Sequence, residues 1–141
     1  MIEIRRHALV RRTPARMFDL VNDVEAYPRR FAWCRAAHVL ERGDDALVAR
    51  LEVRFAGFTQ AFTTRNTVQR PARLHMHLVE GPLSALDGEW TFAPLGEDGC
   101  RVALALDFDY SGLMAGPLRL GFQGLANRMV DDFCAAANAD A

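Results

Sequence analysis

The sequence predicts an α+β fold in which a curved antiparallel sheet of about six to seven strands wraps around one long C-terminal helix. Three observations point there. Apolar residues recur at every second position through the middle of the chain. Near the end they recur at three- and four-residue steps. Turns carrying glycine or proline follow one another too closely to leave room for crossover helices, so the strands should meander.

The elements can be justified in order. Residues 2–10 read as a first strand. In "TPARMFDLVNDV", Thr13 suits an N-cap and Pro14 the first helical position. Met17, Phe18, Leu20, Val21 and Val24 then give an apolar face at helical spacing. A second short helical turn from about Asp23 is expected to stop at Tyr27, because the residue before a proline avoids the α region. From about residue 33 the period changes to two. Leu47, Ala49, Leu51, Val53 and Phe55 form one alternating set, and Leu74, Met76 and Leu78 another. Val102, Leu104, Leu106 and Phe108 form a third, each set implying one buried and one wet face. Turns fall at "ERGDD", "FAGF", "QRPA", "VEGP" and "LGEDG". Residues 115–137 revert to helix, with Leu118, Phe122, Leu125, Met129 and Phe133 in one stripe and Arg128 placed to pair with Asp131 or Asp132. Strand, short helices, meander and long helix in this order describe the helix-grip, or START-like, arrangement.

The 141 residues, 50% apolar and 25% charged, suit a single domain spanning 1–141. No apolar run approaches the ~18–20 residues that cross a bilayer, so a cytoplasmic protein is expected, with peripheral contact at the inner membrane. Cys34, Cys100 and Cys134 form no C-x-x-C pair and read as reduced thiols. Every basic residue is an arginine, and residues 1–30 hold seven of them against four acids. Arg5, Arg6, Arg11, Arg12, Arg29 and Arg30 are therefore expected to aid docking on an anionic membrane. The same end would serve a ribosome-binding protein on rRNA phosphates. DNA is not an expected partner.

Several clusters invite a chemical reading. Tyr27, Phe31 and Trp33 crowd a segment broken by Pro28, and Tyr and Trp suit a place that is apolar on one side and wet on the other. In "LDGEWTF", Gly88 leaves a gap on the strand face it shares with Leu86, Trp90 and Phe92. Gly121 and Gly124 interrupt the last helix, and all three glycines are expected to thin the surfaces where sheet and helix face each other. His75 and His77 share the wet face of their strand with no third ligand evident, so no metal is expected. Asp107 and Asp109, with Asp87 or Glu89, face solvent for the same reason. No nucleophile elbow, phosphate loop or dinucleotide fingerprint is present, and nothing argues for an enzyme.

"FDLVNDVEAYP", "WC", "FTTRN", "GPL", "LDGEW-F" and "CRVALALDFDY", in that order over residues 1–137, resemble the coenzyme Q-binding START-domain family, whose bacterial members include RatA-type ribosome-association toxins. The sequence departs from the family pattern at Arg29, Arg30, Ala32, Ala56 and Leu83. The resemblance implies an apolar cavity that holds ubiquinone or a related isoprenoid lipid as a bound ligand, with no catalytic cofactor, in support of respiration or quinone biosynthesis. It implies a pocket bounded by Phe55, Phe62, Leu83, Trp90 and Phe92 on the sheet and by Phe122, Leu125 and Met129 on the helix, with Tyr27, Phe31 and Trp33 at its entrance. Tyr110, Arg65, Asn66 or the Trp90 indole could orient a quinone ring. The alternatives are a ribosome-associated translation regulator and a polyketide cyclase-like cavity enzyme.

Overall fold

The computed structural model describes residues 1–113 and 115–139. Along the chain run β1 (Ile2–Val10), α1 (Pro14–Asn22), α2 (Tyr27–Arg30), β2 (Cys34–Arg42), β3 (Ala46–Phe55) and β4 (Phe58–Gln69). They are followed by β5 (Arg73–Glu80), β6 (Leu83–Leu95), β7 (Gly99–Tyr110) and α3 (Ala115–Ala139). The strands make one antiparallel sheet in the order β1-β7-β6-β5-β4-β3-β2. Strands β2 to β7 pair with their sequence neighbours, as the short turns require, and β1 closes the sheet against β7. The curved sheet and the long last helix are the helix-grip arrangement, and α3 packs on β1, β3 and β7.

Local chemistry places these elements as expected at most points. The Thr13 hydroxyl accepts the Arg16 N–H at 3.2 Å and caps α1, and Pro14 opens the helix. Met17, Phe18, Leu20 and Val21 turn inward from it. Val102, Leu104, Leu106 and Phe108 are all buried on β7, while their alternates reach the outer face.

The chain does not stop at Tyr27. A 3₁₀ turn, Val24–Ala26, hands over to α2, and Tyr27 itself is helical with φ −55° and ψ −43° although Pro28 follows. Pro28 lies in the first turn of α2, where its missing N–H costs nothing. The Tyr27 hydroxyl donates to the Val21 carbonyl and fixes the ring. Arg128 pairs with neither neighbouring acid: Asp131 meets Arg6 at 3.3 Å, and Asp132 accepts the Trp33 indole N–H at 3.1 Å.

The three glycines do not open space between sheet and helix. A Cβ on Gly88 would lie 2.7 Å from Leu106 Cδ1 and 2.8 Å from Met76 Cε, so neighbours already fill the gap. On Gly121 it would lie 2.6 Å from the Ala56 Cβ and 2.9 Å from Phe55 Cδ2. The β3–β4 hairpin turn, Ala56 at φ 52° and Gly57 at φ 80°, thus rests directly on the helix backbone. Gly124 is exposed with nothing within 4 Å of such a Cβ. Two glycines on one helix should therefore respond oppositely to alanine. Gly124→Ala should stabilise by ~0.5–1 kcal/mol through helix propensity. Gly121→Ala should destabilise by ~1–3 kcal/mol, because neither a turn Cβ nor a packed ring can yield. Urea denaturation of the two variants checks the pair.

Candidate functional site

Two groups of aromatic rings attach α3 to the rest of the molecule. Phe122 meets Phe108 at 4.7 Å between ring centroids, Phe62 at 5.5 Å, Phe55 at 5.6 Å and Tyr110 at 6.2 Å. Phe133 meets Phe31 at 4.7 Å, Trp90 at 5.2 Å, Tyr27 at 5.4 Å and Trp33 at 6.5 Å. These attachments lie about 16 Å apart at ~1.5 Å rise per residue. The cavity takes both of these phenylalanines, with Met129 between them, as its helix wall.

That cavity measures about 80 Å³. Its other walls are Val21, Val24, Tyr27 and Trp33, and the inward side chains of β3 to β7, among them Ala49, Phe62, Leu74, Trp90 and Leu106. It is smaller than the ~300–1,000 Å³ of pockets that enclose drug-sized ligands. Polar chemistry in the lining centres on two neighbouring β4 residues, Thr64 and Asn66, both buried. The Thr64 hydroxyl donates to Asn66 Oδ1 at 3.0 Å. Among the described residues this is the one hydrogen bond of the Asn66 side chain. Tyr27 is the titratable residue of the lining; burial pushes its phenol well above its ordinary range, and its hydroxyl is engaged with Val21. The cavity offers a surface for apolar contact and one hydrogen-bonding pair, with no acid–base couple.

The candidate residues divide on inspection. Tyr27, Trp33, Phe62, Trp90, Phe122 and Met129 line the cavity. Phe31 is stacked one layer back on Trp33 at 4.9 Å, and Phe55, Leu83, Phe92 and Leu125 are buried in the core outside the lining. Tyr27, Phe31 and Trp33 are all buried, with the polar tips of Tyr27 and Trp33 bonded inside the protein, so they close this end of the cavity. Of the polar candidates, Asn66 and Trp90 face the cavity. The Tyr110 hydroxyl donates to Gln60 at 3.2 Å, and Arg65 points outward to Glu41 at 3.9 Å. Thr64 is an addition, and the alternation Phe62–Thr64–Asn66 in "FTTRN" is the signal that carries it.

The basic residues and the thiols also find definite places. Arg5 pairs with Asp107 at 2.9 Å and Arg6 with Asp131 at 3.3 Å, and both guanidinium groups stay solvent-exposed. Arg11, Arg12 and Arg16 line a groove at the β1–α1 junction with Asp98 as its acid. Arg29 is exposed on α2 and Arg30 half-buried. Asp109 accepts from its neighbour's backbone N–H and from Arg119 at 2.8 Å, which hold its carboxyl below the usual range. All three cysteines are free, and burial pushes the Cys34 thiol up to about 11.

Residues 10–134 match the family described as polyketide cyclase/dehydrase and lipid transport. The chain belongs to that family. Within the polyketide cyclase/dehydrase and lipid-transport family it is 43% identical over 138 residues to the ribosome association toxin RatA of Pseudomonas aeruginosa, covering 95% of this chain and 94% of that one. It is 37% identical over 139 residues to the RatA protein of Escherichia coli K12, covering 97% of this chain and 87% of that one. Among solved structures it superposes on the Zhui aromatase/cyclase from Streptomyces sp. R1128 with a TM-score of 0.87 at 18% identity, covering 97% of this chain and 93% of that one. A START superfamily protein from Mycobacterium smegmatis gives 0.79 at 19% identity, with 98% and 95% covered. At such identities these two structures speak for the fold, which is the START-like one.

The buried polar pair in this family member makes a measurable prediction. Asn66→Leu leaves the Thr64 hydroxyl without its acceptor and should cost ~1–3 kcal/mol. Adding Thr64→Val removes the orphan and should recover most of that loss. A double-mutant cycle by chemical denaturation should therefore show clear non-additivity.

Proposed function

We propose that this protein is a ribosome-associated regulator of translation of the RatA type. The observation that carries the reading is the near end-to-end likeness to proteins named ribosome association toxin. The groove of Arg11, Arg12 and Arg16, opposed by Asp98, supports it, because clustered guanidinium groups suit phosphate contacts of rRNA. Arg5 and Arg6 are exposed and paired with Asp107 and Asp131, so they would join an anionic contact by exchanging those partners.

A second reading rests on the cavity: the protein holds an apolar molecule, ubiquinone or a related isoprenoid lipid. Its lining is apolar apart from one polar corner at Thr64 and Asn66, which would take a carbonyl or hydroxyl of the ligand's head. Burial of apolar surface at ~25 cal/mol per Å² would supply most of the affinity. With about 80 Å³ available, a whole quinone can enter only if α3 moves away from the sheet. Neither reading assigns catalysis to this chain. Tyr27, the titratable group of the lining, is hydrogen-bonded and held protonated by burial, which speaks against a cyclase-like acid–base site.

Each reading has its measurement. Co-sedimentation with ribosomes should weaken steeply as salt rises. Arg11→Ala with Arg12→Ala should lower the log–log salt slope by about one for each phosphate that is no longer neutralised. Absence of co-sedimentation at low salt, or binding indifferent to salt, would count against the ribosome reading. Organic extracts of purified protein, analysed by mass spectrometry, should contain a quinone or isoprenoid. Met129→Trp should abolish its recovery while the protein stays folded, because the new ring occupies the cavity. Extracts free of any such lipid would remove the second reading and leave the first standing.

A further inference from the structure

On the outer face of the sheet, across from the cavity lining on the same strands, the register between β5 and β6 sets His77 opposite Asp87 and His75 opposite Glu89. His75 and His77 are two residues apart on one strand, so both imidazoles project from the same face. Asp87 Oδ1 lies 3.0 Å from His75 Nε2 and 2.9 Å from His77 Nδ1. The sequence alone shows no third donor beside the two histidines; cross-strand pairing supplies one. We propose that His75, His77 and Asp87 form a binding site for a divalent first-row transition ion of the zinc class.

Geometry and competition both favour it. The three donor atoms all lie within 4.8 Å of one another. Tetrahedral zinc, with bonds of ~2.0–2.2 Å to nitrogen and oxygen, needs its ligand atoms ~3.3 Å apart, so Asp87 must draw back from each imidazole by a few tenths of an ångström and the two imidazole nitrogens, within 4.8 Å of each other, must settle at the same spacing. Two imidazoles and one carboxylate leave a fourth position for water or for a donor from a partner. His77 and Asp87 are exposed and His75 is half-buried, so an ion has a direct approach from solvent. The outer face is rich in arginine, and its other acids are taken: Glu89 by Arg73 at 2.7 Å, Asp107 by Arg5 at 2.9 Å, Glu52 by Arg35 at 3.4 Å. Asp87 has no arginine among the described residues and meets only the two histidines. A carboxylate kept clear of guanidinium groups and aimed at two imidazoles is a donor set that suits borderline divalent ions of the first transition row. The site stands apart from both functional readings above and depends on neither.

The test uses the full chain without a histidine tag, stripped with a chelator and dialysed against zinc chloride. One zinc per chain is expected. His77→Ala and Asp87→Asn should each weaken zinc binding by at least ~10-fold, since removing even a residue that only orients a metal ligand costs 10–100-fold. Far-UV circular dichroism of both variants should match the parent, because all three side chains lie on the outer face. Cobalt substitution should give the visible absorption of a low-coordinate site, and that signal should vanish in both variants. No zinc above the buffer control would overturn the proposal. Zinc retained with unchanged affinity in both variants, as cysteine ligation would give, would overturn it too.

Discussion

Everything in this molecule depends on how α3 is held against the sheet. Phe122 and Phe133 each enter a group of rings from other elements, and the helix is pinned at these two places. Edge-to-face ring pairs add ~0.5–1.5 kcal/mol each beyond the area they bury. The Phe133 group draws in Tyr27, Phe31 and Trp33, so the same rings fix α2 and the entry to β2. The Phe122 group draws in Phe55 at the end of β3, which sets the hairpin turn against Gly121. A helix fixed at two points over a curved surface need not touch it everywhere between them. The cavity lined by both phenylalanines is the consequence.

This arrangement explains why one fold can serve relatives named as toxins and structures named as cyclases. Walls and attachments belong to the scaffold, while chemistry belongs to the few polar groups that reach the cavity. Here those groups are a hydroxyl and a carboxamide on β4, already bonded to each other, beside a tyrosine engaged with backbone. They can recognise a polar atom but cannot readily exchange protons with a substrate. Charge is likewise placed outside: arginines sit on the outer face, at the β1–α1 groove, in the β4–β5 turn, on α2 and on α3.

Much of the fold was legible in the sequence because strand alternation and the helix stripe are local signals. The alternating set on β7 and the stripe from Leu118 to Phe133 are buried as their spacing implies, apart from half-buried Met129. What escaped depended on residues far apart in sequence. Tyr27 is helical before a proline because Val21 and the aromatic group hold it there. The three glycines share a residue type, yet Gly88 is filled by Leu106 and Met76, Gly121 meets a turn, and Gly124 faces solvent. The acids expected to pair with Arg128 are taken by Arg6 and Trp33, which come from other elements. Six of the expected pocket residues line the cavity, while Phe55, Leu83, Phe92 and Leu125 support the core beside it. Strand pattern told inside from outside, but not lining from core.

The central claim is that α3, pinned at Phe122 and Phe133, leaves an apolar space against the sheet. Crystals pressurised with xenon test it most directly, because dry apolar cavities take up xenon. Xenon should bind inside the protein, against Phe62, Leu106 and Met129. Crystals that diffract well but show no xenon there would mean that sheet and helix are fully packed, and the account would be wrong.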